Sequence, residues 1–550
     1  MLKYLLLFLL INTQYSNSAN DMYGIRSSSR FKINKKNKSS NITKDWIHLD
    51  PTDDNIQGIS SYKAYSTFKE ANDEVIVAII DSGVDVNHKD LDGRIWINSN
   101  EIPNNNIDDD NNGYIDDIFG WNFLGSSKGN AQFKTSNKKN KYVLIQKDPK
   151  LQLKFDNLEI TRIYEYLKNK SKNSSLSQEE LKLFKHSREI VEFNMEFAEK
   201  NFKKLKQQVN QYLRNEKILL NAGIGSISYN NLRKFISLKK EAMDAKKEMV
   251  KFFDKKKSLI EIQEEMRSYE IDYKYLYNPK CKTRQNIVRD SRTNLHQTGY
   301  GNNNIIGPDS EHGTHVAGII AANRNSFGVD GISSTTKLMI LRVVPNGDER
   351  DKDVANAIYY AVNNGAKIIN MSFGKAYSLN LKHVQKAIRF AEVNDVLIVN
   401  SAGNSNENND TKNTYPSPFI NRTKVTNWLT IGASGPKKNN SLVADFSNFG
   451  KEKVDFFAPG IDIYSTVENN KYSTSSGTSM AAPVVTAIAA EVLSIRNNFS
   501  PQEIIASIIE GLNNQKKVYI FKPGLGSIRF STLSKYNGTP NLYKTINSIY

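Results

Sequence analysis

The sequence predicts an α/β fold, a three-layer arrangement with a mostly parallel central sheet flanked by helices, into which an α-helical hairpin is inserted. Three observations carry this. Residues 75–80, Val-Ile-Val-Ala-Ile-Ile, form a continuous and mostly β-branched run, the pattern of a strand buried on both faces. His312-Gly313-Thr314-His315-Val316-Ala317-Gly318 leads into an apolar helical stretch at 319–322. Gly477-Thr478-Ser479-Met480-Ala481-Ala482-Pro483 leads into a mostly apolar run at 484–493 that reads as a buried helix.

Each of these elements ends on a residue with chemistry. The buried strand stops at Asp81, and the carboxyl ends of parallel strands are where open α/β sheets place their sites. Ser479 stands at a helix N-terminus, beside free backbone N–H groups and the positive end of the dipole. That setting suits a hydroxyl that attacks a carbonyl and generates an oxyanion. A hydroxyl is a weak nucleophile and needs a base, and the base needs a third group to fix its tautomer. The chain offers all three, in the order Asp81, His312, Ser479.

Together, Asp81-Ser82-Gly83, His312-Gly313-Thr314-His315 and Gly477-Thr478-Ser479-Met480-Ala481 resemble the motifs of the subtilisin-like serine proteases, the subtilases, which carry their triad in that order. The resemblance implies a serine endopeptidase. Ser479 would be the nucleophile, His312 the general base and then acid, and Asp81 the group that orients His312. Asn404, after Ser401-Ala402-Gly403, matches the family's oxyanion-hole asparagine. Ser372, Phe373 and Gly374 match the backbone segment that pairs with an extended substrate, and Ser401, Ala402 and Gly403 lie beside it. His315, one helical turn past His312, is read as structural. A different class of function is an exported binding or scaffold protein on the same fold, with little or no peptidase activity, that docks through its insertion.

Calcium is the expected cofactor, at two places. Asp108 to Asp117 contains the D-x-[DN]-x-[DN]-G pattern, in which oxygen ligands alternate and glycine permits a sharp turn. Asp108, Asp110, Asn112, the Tyr114 carbonyl and Asp116 would supply ligands. Phe119 stands where the glutamate of an EF-hand would, so the loop is at most EF-hand-like. The second place comes from the resemblance: Asp90 and Asn325 by side chain, with Asn323, Phe327 and Val329 by carbonyl.

Asp81 and His312 are 231 positions apart, far more than in compact members of the family. Residues 128–295 fill most of that gap and read as a basic helical insertion. Ile190, Phe193, Phe197, Leu205, Val209 and Tyr212 keep a spacing of three or four, apart from Asn201. Leu238, Ala242, Ala245, Met249, Phe252, Leu259, Ile262, Met266 and Tyr269 do likewise, apart from Lys256. A polar turn from Asn221 to Asn231 would join two long antiparallel segments.

Residues 128–300 hold 38 Lys+Arg and 21 Asp+Glu, a net of +17, which equals the net charge of the whole chain. Such an insertion would attract an anionic surface or partner, although lysine-rich helix faces are also found merely solvated. No nucleic-acid motif accompanies the charge, so nucleic acid is not the expected partner.

One cysteine, Cys281, excludes an intramolecular disulfide. Residues 1–19, with Lys3, an apolar stretch at 4–11 and small residues at Ser18 and Ala19, read as a signal peptide. Residues 20–45 read as a basic disordered segment, leaving no room for a folded prodomain. The expected location is secreted or periplasmic, with no transmembrane segment in the mature chain. The peptidase domain is expected over 46–127 and 296–550. After the Ser479 helix, Ser500-Pro501-Gln502-Glu503 reads as a helix start, and 538–546 as a last helix.

Overall fold

The computed structural model describes residues 43–68, 73–136, 141–146, 148–254 and 257–550. The expected signal peptide and nearly all of the basic N-terminal segment lie outside the described residues.

Two compact units form, residues 1–154 with 282–550, and Phe155–Cys281. The first is built on a seven-stranded sheet whose pairings are all parallel. Its strand order across the sheet is Phe456–Pro459, Trp428–Ser434, Leu397–Ser401, Ile368–Met371, Val75–Asp81, Thr336–Arg342 and Gly120–Asn122. A strand alternates its side chains between faces, and the Val75–Asp81 strand shows both faces buried. Val75, Val77 and Ile79 join a core with Val484, Ile488 and Val316, under the Thr478–Ile495 and Glu311–Ala321 helices. Ala78 and Ile80 join the opposite core with Ile358, Ala361 and Ile388, under the Asp351–Asn363 and Leu381–Val393 helices. This is the three-layer arrangement expected, and apolar residues on both faces are why the strand reads as an unbroken apolar run.

Parallel register sets the strand ends at one edge. Asp81 lies opposite Arg342, Ile80 opposite Met371, and Met371 opposite Asn400. The residues that follow, Ser82, Ser372 and Ser401, therefore gather at the carboxyl edge. Among the described residues one helix is long and apolar enough to cross a membrane, Thr478–Ile495, and it is the buried helix that carries Ser479 in its first turn.

The second unit is helical: Glu159–Asn173, Gln178–Asn221, Tyr229–Lys234, Lys240–Asp254 and Leu259–Ile271. The 44-residue helix Gln178–Asn221 opens with a capping box of Ser177 and Glu180, and at 1.5 Å per residue it is about 66 Å long. Tyr212, Leu219, Leu232, Ala245 and Met249 form its apolar core.

Several boundaries differ from those read in the sequence. The helical unit is Phe155–Cys281, narrower than 128–295. Residues 132–145 form a β-hairpin, and Arg284 is held in the first unit by ion pairs to Asp290 and Asp353. The turn after Asn221 contains a short helix. Leu238, assigned to the apolar stripe, is fully exposed because it lies in the connection ahead of the Lys240–Asp254 helix, and Phe193 and Phe197 are about half exposed. Of residues 538–546, Gly538–Thr539 pair as a strand with Asn513–Asn514, and the helix begins only at Leu542.

Candidate active site

Asp81 ends its strand and Gly83 turns the chain, with φ +112 and its Cα packed against the Ile306 carbonyl, where no side chain fits. Gly313 makes the complementary concession. A Cβ there would lie 2.1 Å from the Gly83 carbonyl and 3.3 Å from Asp81 Oδ1. The two glycines let the His312 helix approach the strand end closely enough for contact. His312 Nδ1 and Asp81 Oδ1 are 2.7 Å apart, and Asp81 Oδ1 also accepts the Ser82 N–H at 2.7 Å. Both residues are buried.

His315 points elsewhere, as expected. Its Nε2 lies 3.1 Å from both the Ile463 and Ser473 carbonyls, on the hairpin Ile463–Val467 and Lys471–Ser475. Burial holds its imidazole near a pKa of about 4, so at neutral pH the ring is uncharged and the nitrogen facing those carbonyls carries the proton.

Ser479 occupies the first turn of its helix, where backbone N–H groups have no helical acceptor. Four residues on, Pro483 lacks the N–H that would bond the Ser479 carbonyl. Ser372 fills the gap. Its Oγ donates to the Ser479 carbonyl at 2.9 Å, and Ser479 Oγ donates to the Ser372 carbonyl at 3.0 Å. Asn370 Nδ2 in turn donates to Ser372 Oγ at 3.0 Å.

Asn404 is exposed on the Gly403 turn, and its side-chain oxygen is occupied. Thr478 N–H and Thr478 Oγ1 both donate to Asn404 Oδ1 at 2.9 Å. The amide nitrogen is thereby the end directed away from Thr478. It lies 3.6 Å from the point where a Cβ on Gly477 would stand, two residues before Ser479.

The expected substrate-binding residues are brought together, with their backbone groups unequally engaged. The Ser372 carbonyl takes the Ser479 hydroxyl, and the Phe373 carbonyl accepts from Asn400 Nδ2 at 3.0 Å. Gly374 remains partly exposed. The Ala402 carbonyl accepts from Asn409 and Asn448, and Gly403 N–H donates to Thr478 Oγ1. A pocket beside them is lined by Asn400, Ser401, Ala402, Thr414, Pro416 and Phe419 among others.

At the second place where calcium is expected, the loop at 323–329 wraps Asp90. Asp90 Oδ2 accepts from Val329 N–H at 2.9 Å and Tyr472 Oη at 3.2 Å, while its fully buried Oδ1 has no hydrogen-bond partner. A buried carboxylate oxygen left without a donor fits a cation ligand. Asn325 Oδ1 instead accepts the Phe327 N–H, and the Asn323 side chain bonds Arg94 and the Asp92 carbonyl.

At the acidic loop the grouping differs from the sequence reading. Asp110 lies with Glu101 and Asp117, their oxygens within 4.8 Å of one another. Asp108 accepts backbone N–H groups of Asn112 and Gly113, and Asp116 those of Asn105 and Asn106. Burial raises the Glu101 carboxyl to about 7 and the Asp117 carboxyl to about 6, against hydrogen bonds that favour their charged forms. Glu101 was not legible in the sequence, because it lies outside the repeating loop pattern and reaches it only through the fold.

A buried Asp–His pair and a serine in the first turn of a helix lie at the carboxyl edge of a parallel sheet in an α/β protein. The chain belongs to the subtilase family, whose model matches residues 72–526. It is similar to the thermophilic serine proteinase of Bacillus sp. (strain AK1), 36% identical over 36% of this chain and 46% of that one. It is similar as well to the major intracellular serine protease of Bacillus subtilis (strain 168), 33% identical over 38% of this chain and 65% of that protein. Subtilisin DY of Bacillus licheniformis is 33% identical over 39% of this chain and 74% of its own. The matched stretch thus spans about half to two thirds of the first two relatives' length.

Proposed function

We propose that the protein is a serine endopeptidase acting on extended protein or peptide segments through Asp81, His312 and Ser479. The observation that carries this is the buried His312–Asp81 hydrogen bond of 2.7 Å on the sheet edge that also holds Ser479. Family membership and the resemblance of the relatives, which are themselves named as proteases, support it.

In this mechanism the Ser479 hydroxyl turns from the Ser372 carbonyl, gives its proton to His312 Nε2 and attacks the scissile carbonyl carbon. Asp81 fixes the His312 tautomer with the proton on Nδ1 and stabilises the imidazolium. The Asn404 amide and the Ser479 N–H receive the oxyanion. His312 then protonates the leaving amine, and water repeats the cycle in reverse to release the acyl group. The substrate strand lies along Gly374, with a side chain in the pocket beside Ser401 and Ala402.

Calcium would be held by Asp90 and by the acidic loop, where Glu101, Asp110 and Asp117 converge, and it would neutralise carboxylates that otherwise repel one another. Export is proposed as well, supported by Lys3 and the apolar stretch at 4–11.

The test is labelling of the full chain by a fluorophosphonate probe, beside Ser479→Ala, with and without a calcium chelator. Labelling of the unsubstituted chain alone is expected, with less after chelation. Equal labelling of Ser479→Ala, or none of either with calcium present, would refute the peptidase reading. Labelling and thermal stability that chelation leaves unchanged would refute the calcium reading.

A further inference from the structure

The helical unit is charged unevenly along its length. Its chain ends are closed together: Leu158 N–H donates to the Leu276 carbonyl at 3.2 Å, and Phe155 stacks on Tyr275 with ring centroids 4.6 Å apart. The middle of Gln178–Asn221 passes beside these ends, with Phe202 stacked on Tyr273, and its second half runs on to where the short helix Tyr229–Lys234 and the start of Lys240–Asp254 turn the chain back. Residues 200–257, the half toward that far end, hold 16 Lys+Arg against 5 Asp+Glu. The remainder of 155–281 holds 10 against 14. The far half therefore carries +11 and the near half −4. From Lys217 through Lys240, both included, there are five cations and no acid.

The far end also exposes its largest aliphatic side chains. Residues 235–239 connect the two helices, with Phe235 in an extended backbone conformation. Phe235 turns in against the unit's core, while Ile236 is 83% and Leu238 106% exposed. The loop is held in that conformation: Lys246 Nζ donates to the Phe235 carbonyl at 2.8 Å and to the Arg233 carbonyl at 3.3 Å. Arg233, Lys234, Lys239 and Lys240 flank the two aliphatic residues and are themselves exposed. Leu220, in the last turn of Gln178–Asn221, and Tyr229, at the start of the short helix, add further apolar area.

Two aliphatic side chains held out from a fixed loop are unfavourable in water. An occupant must take them up and also answer the charge. Nucleic acid satisfies the cations, but its surface offers phosphates and stacked bases rather than a medium for leucine and isoleucine. An anionic lipid surface satisfies both, with headgroups for the cations and the acyl boundary for the aliphatics. We infer that this end of the helical unit docks on anionic lipid bilayers, inserting Ile236 and Leu238 below the headgroups.

The test is co-sedimentation of the full chain with vesicles of phosphatidylcholine alone and with vesicles in which half is replaced by phosphatidylglycerol. Binding only to the second is expected, and it should weaken as salt rises. The pair Ile236→Ser and Leu238→Ser should reduce partitioning about a hundredfold. Arg233, Lys234, Lys239 and Lys240 all changed to Gln should reduce it by a similar factor. All six side chains are exposed, so the variants should melt as the parent does and cleave a soluble peptide equally. Leu238→Trp should show an indole emission shifted to the blue on adding the anionic vesicles. Absence of binding to anionic vesicles would overturn the inference. So would binding unaffected by the two serine substitutions, or competition by heparin or duplex DNA that both serine and parent forms feel equally, for these would mark a polyanion site without insertion.

Discussion

Ser479 and Ser372 hold one another by two hydrogen bonds, hydroxyl to carbonyl in each direction. This follows from Pro483, whose missing N–H frees the Ser479 carbonyl. Ser372→Ala leaves that buried carbonyl without a donor, and should cost about 1–3 kcal/mol of stability in denaturant unfolding; a variant as stable as the parent would show that water fills the place. Asn404→Ala should lower kcat by about 10²–10³ with little change in KM, a magnitude carried over from the corresponding subtilisin donor. A large KM effect with kcat intact would mean that Asn404 binds the ground state instead. Buried histidines set a pH limit. Burial, with the Arg324 cation adding to it, lowers His48 to about 3, and burial lowers His315 to about 4. The unfolded chain takes up these protons near pH 6.5. Stability is therefore full above about 6.5 and drains as pH falls toward 4, since the unfolded state binds more protons over that window. The thermal midpoint should fall there by on the order of 5–10 °C, and His48→Gln should flatten the slope; an unchanged slope would clear His48 of the effect.

Among elements, what could be read in advance was whatever depends on local pattern. The buried strand at Asp81, the helix of His312 and the helix of Ser479 each have apolar runs and glycines at fixed offsets; His312 meets Asp81, and Ser479 is bonded to Ser372 at the same sheet edge. The clasp between Ser372 and Ser479 escaped notice although Pro483 was in view, because its partner lies 107 positions away in sequence. The boundary of the helical unit escaped for a similar reason. Charge and polarity continue past Cys281, but Arg284 is buried in the first unit, paired with Asp290 at 2.9 Å and Asp353 at 2.7 Å, and Lys352 Nζ joins Asp290 at 3.0 Å. A lysine and arginine count cannot distinguish a buried cation from a solvated one. Asp353 also accepts the Tyr300 hydroxyl at 2.6 Å. Asp353→Ala should destabilise the protein by about 3–5 kcal/mol, because Arg284 would stay buried with half its compensation. A loss below about 1 kcal/mol in chemical unfolding would show that Asp290 alone satisfies it.

Across the whole molecule, the first unit holds Asp81, His312, Ser479 and both proposed calcium positions, and the helical unit, a net +7 in all, gathers its cations toward one end. The closed base of that unit, where Leu158 meets Leu276 and Phe155 meets Tyr275, has an entropic consequence. Joining two ends of a flexible segment costs more as the segment lengthens, by about 0.6 kcal/mol for each doubling. A segment whose own packing has already brought its ends together removes most of that cost from the chain around it, and behaves toward its host as a short turn does. Replacing residues 156–280 by a short Gly-Ser linker should therefore leave the host fold able to form and to label with the fluorophosphonate. An unfolded product would mean that the host relies on its guest.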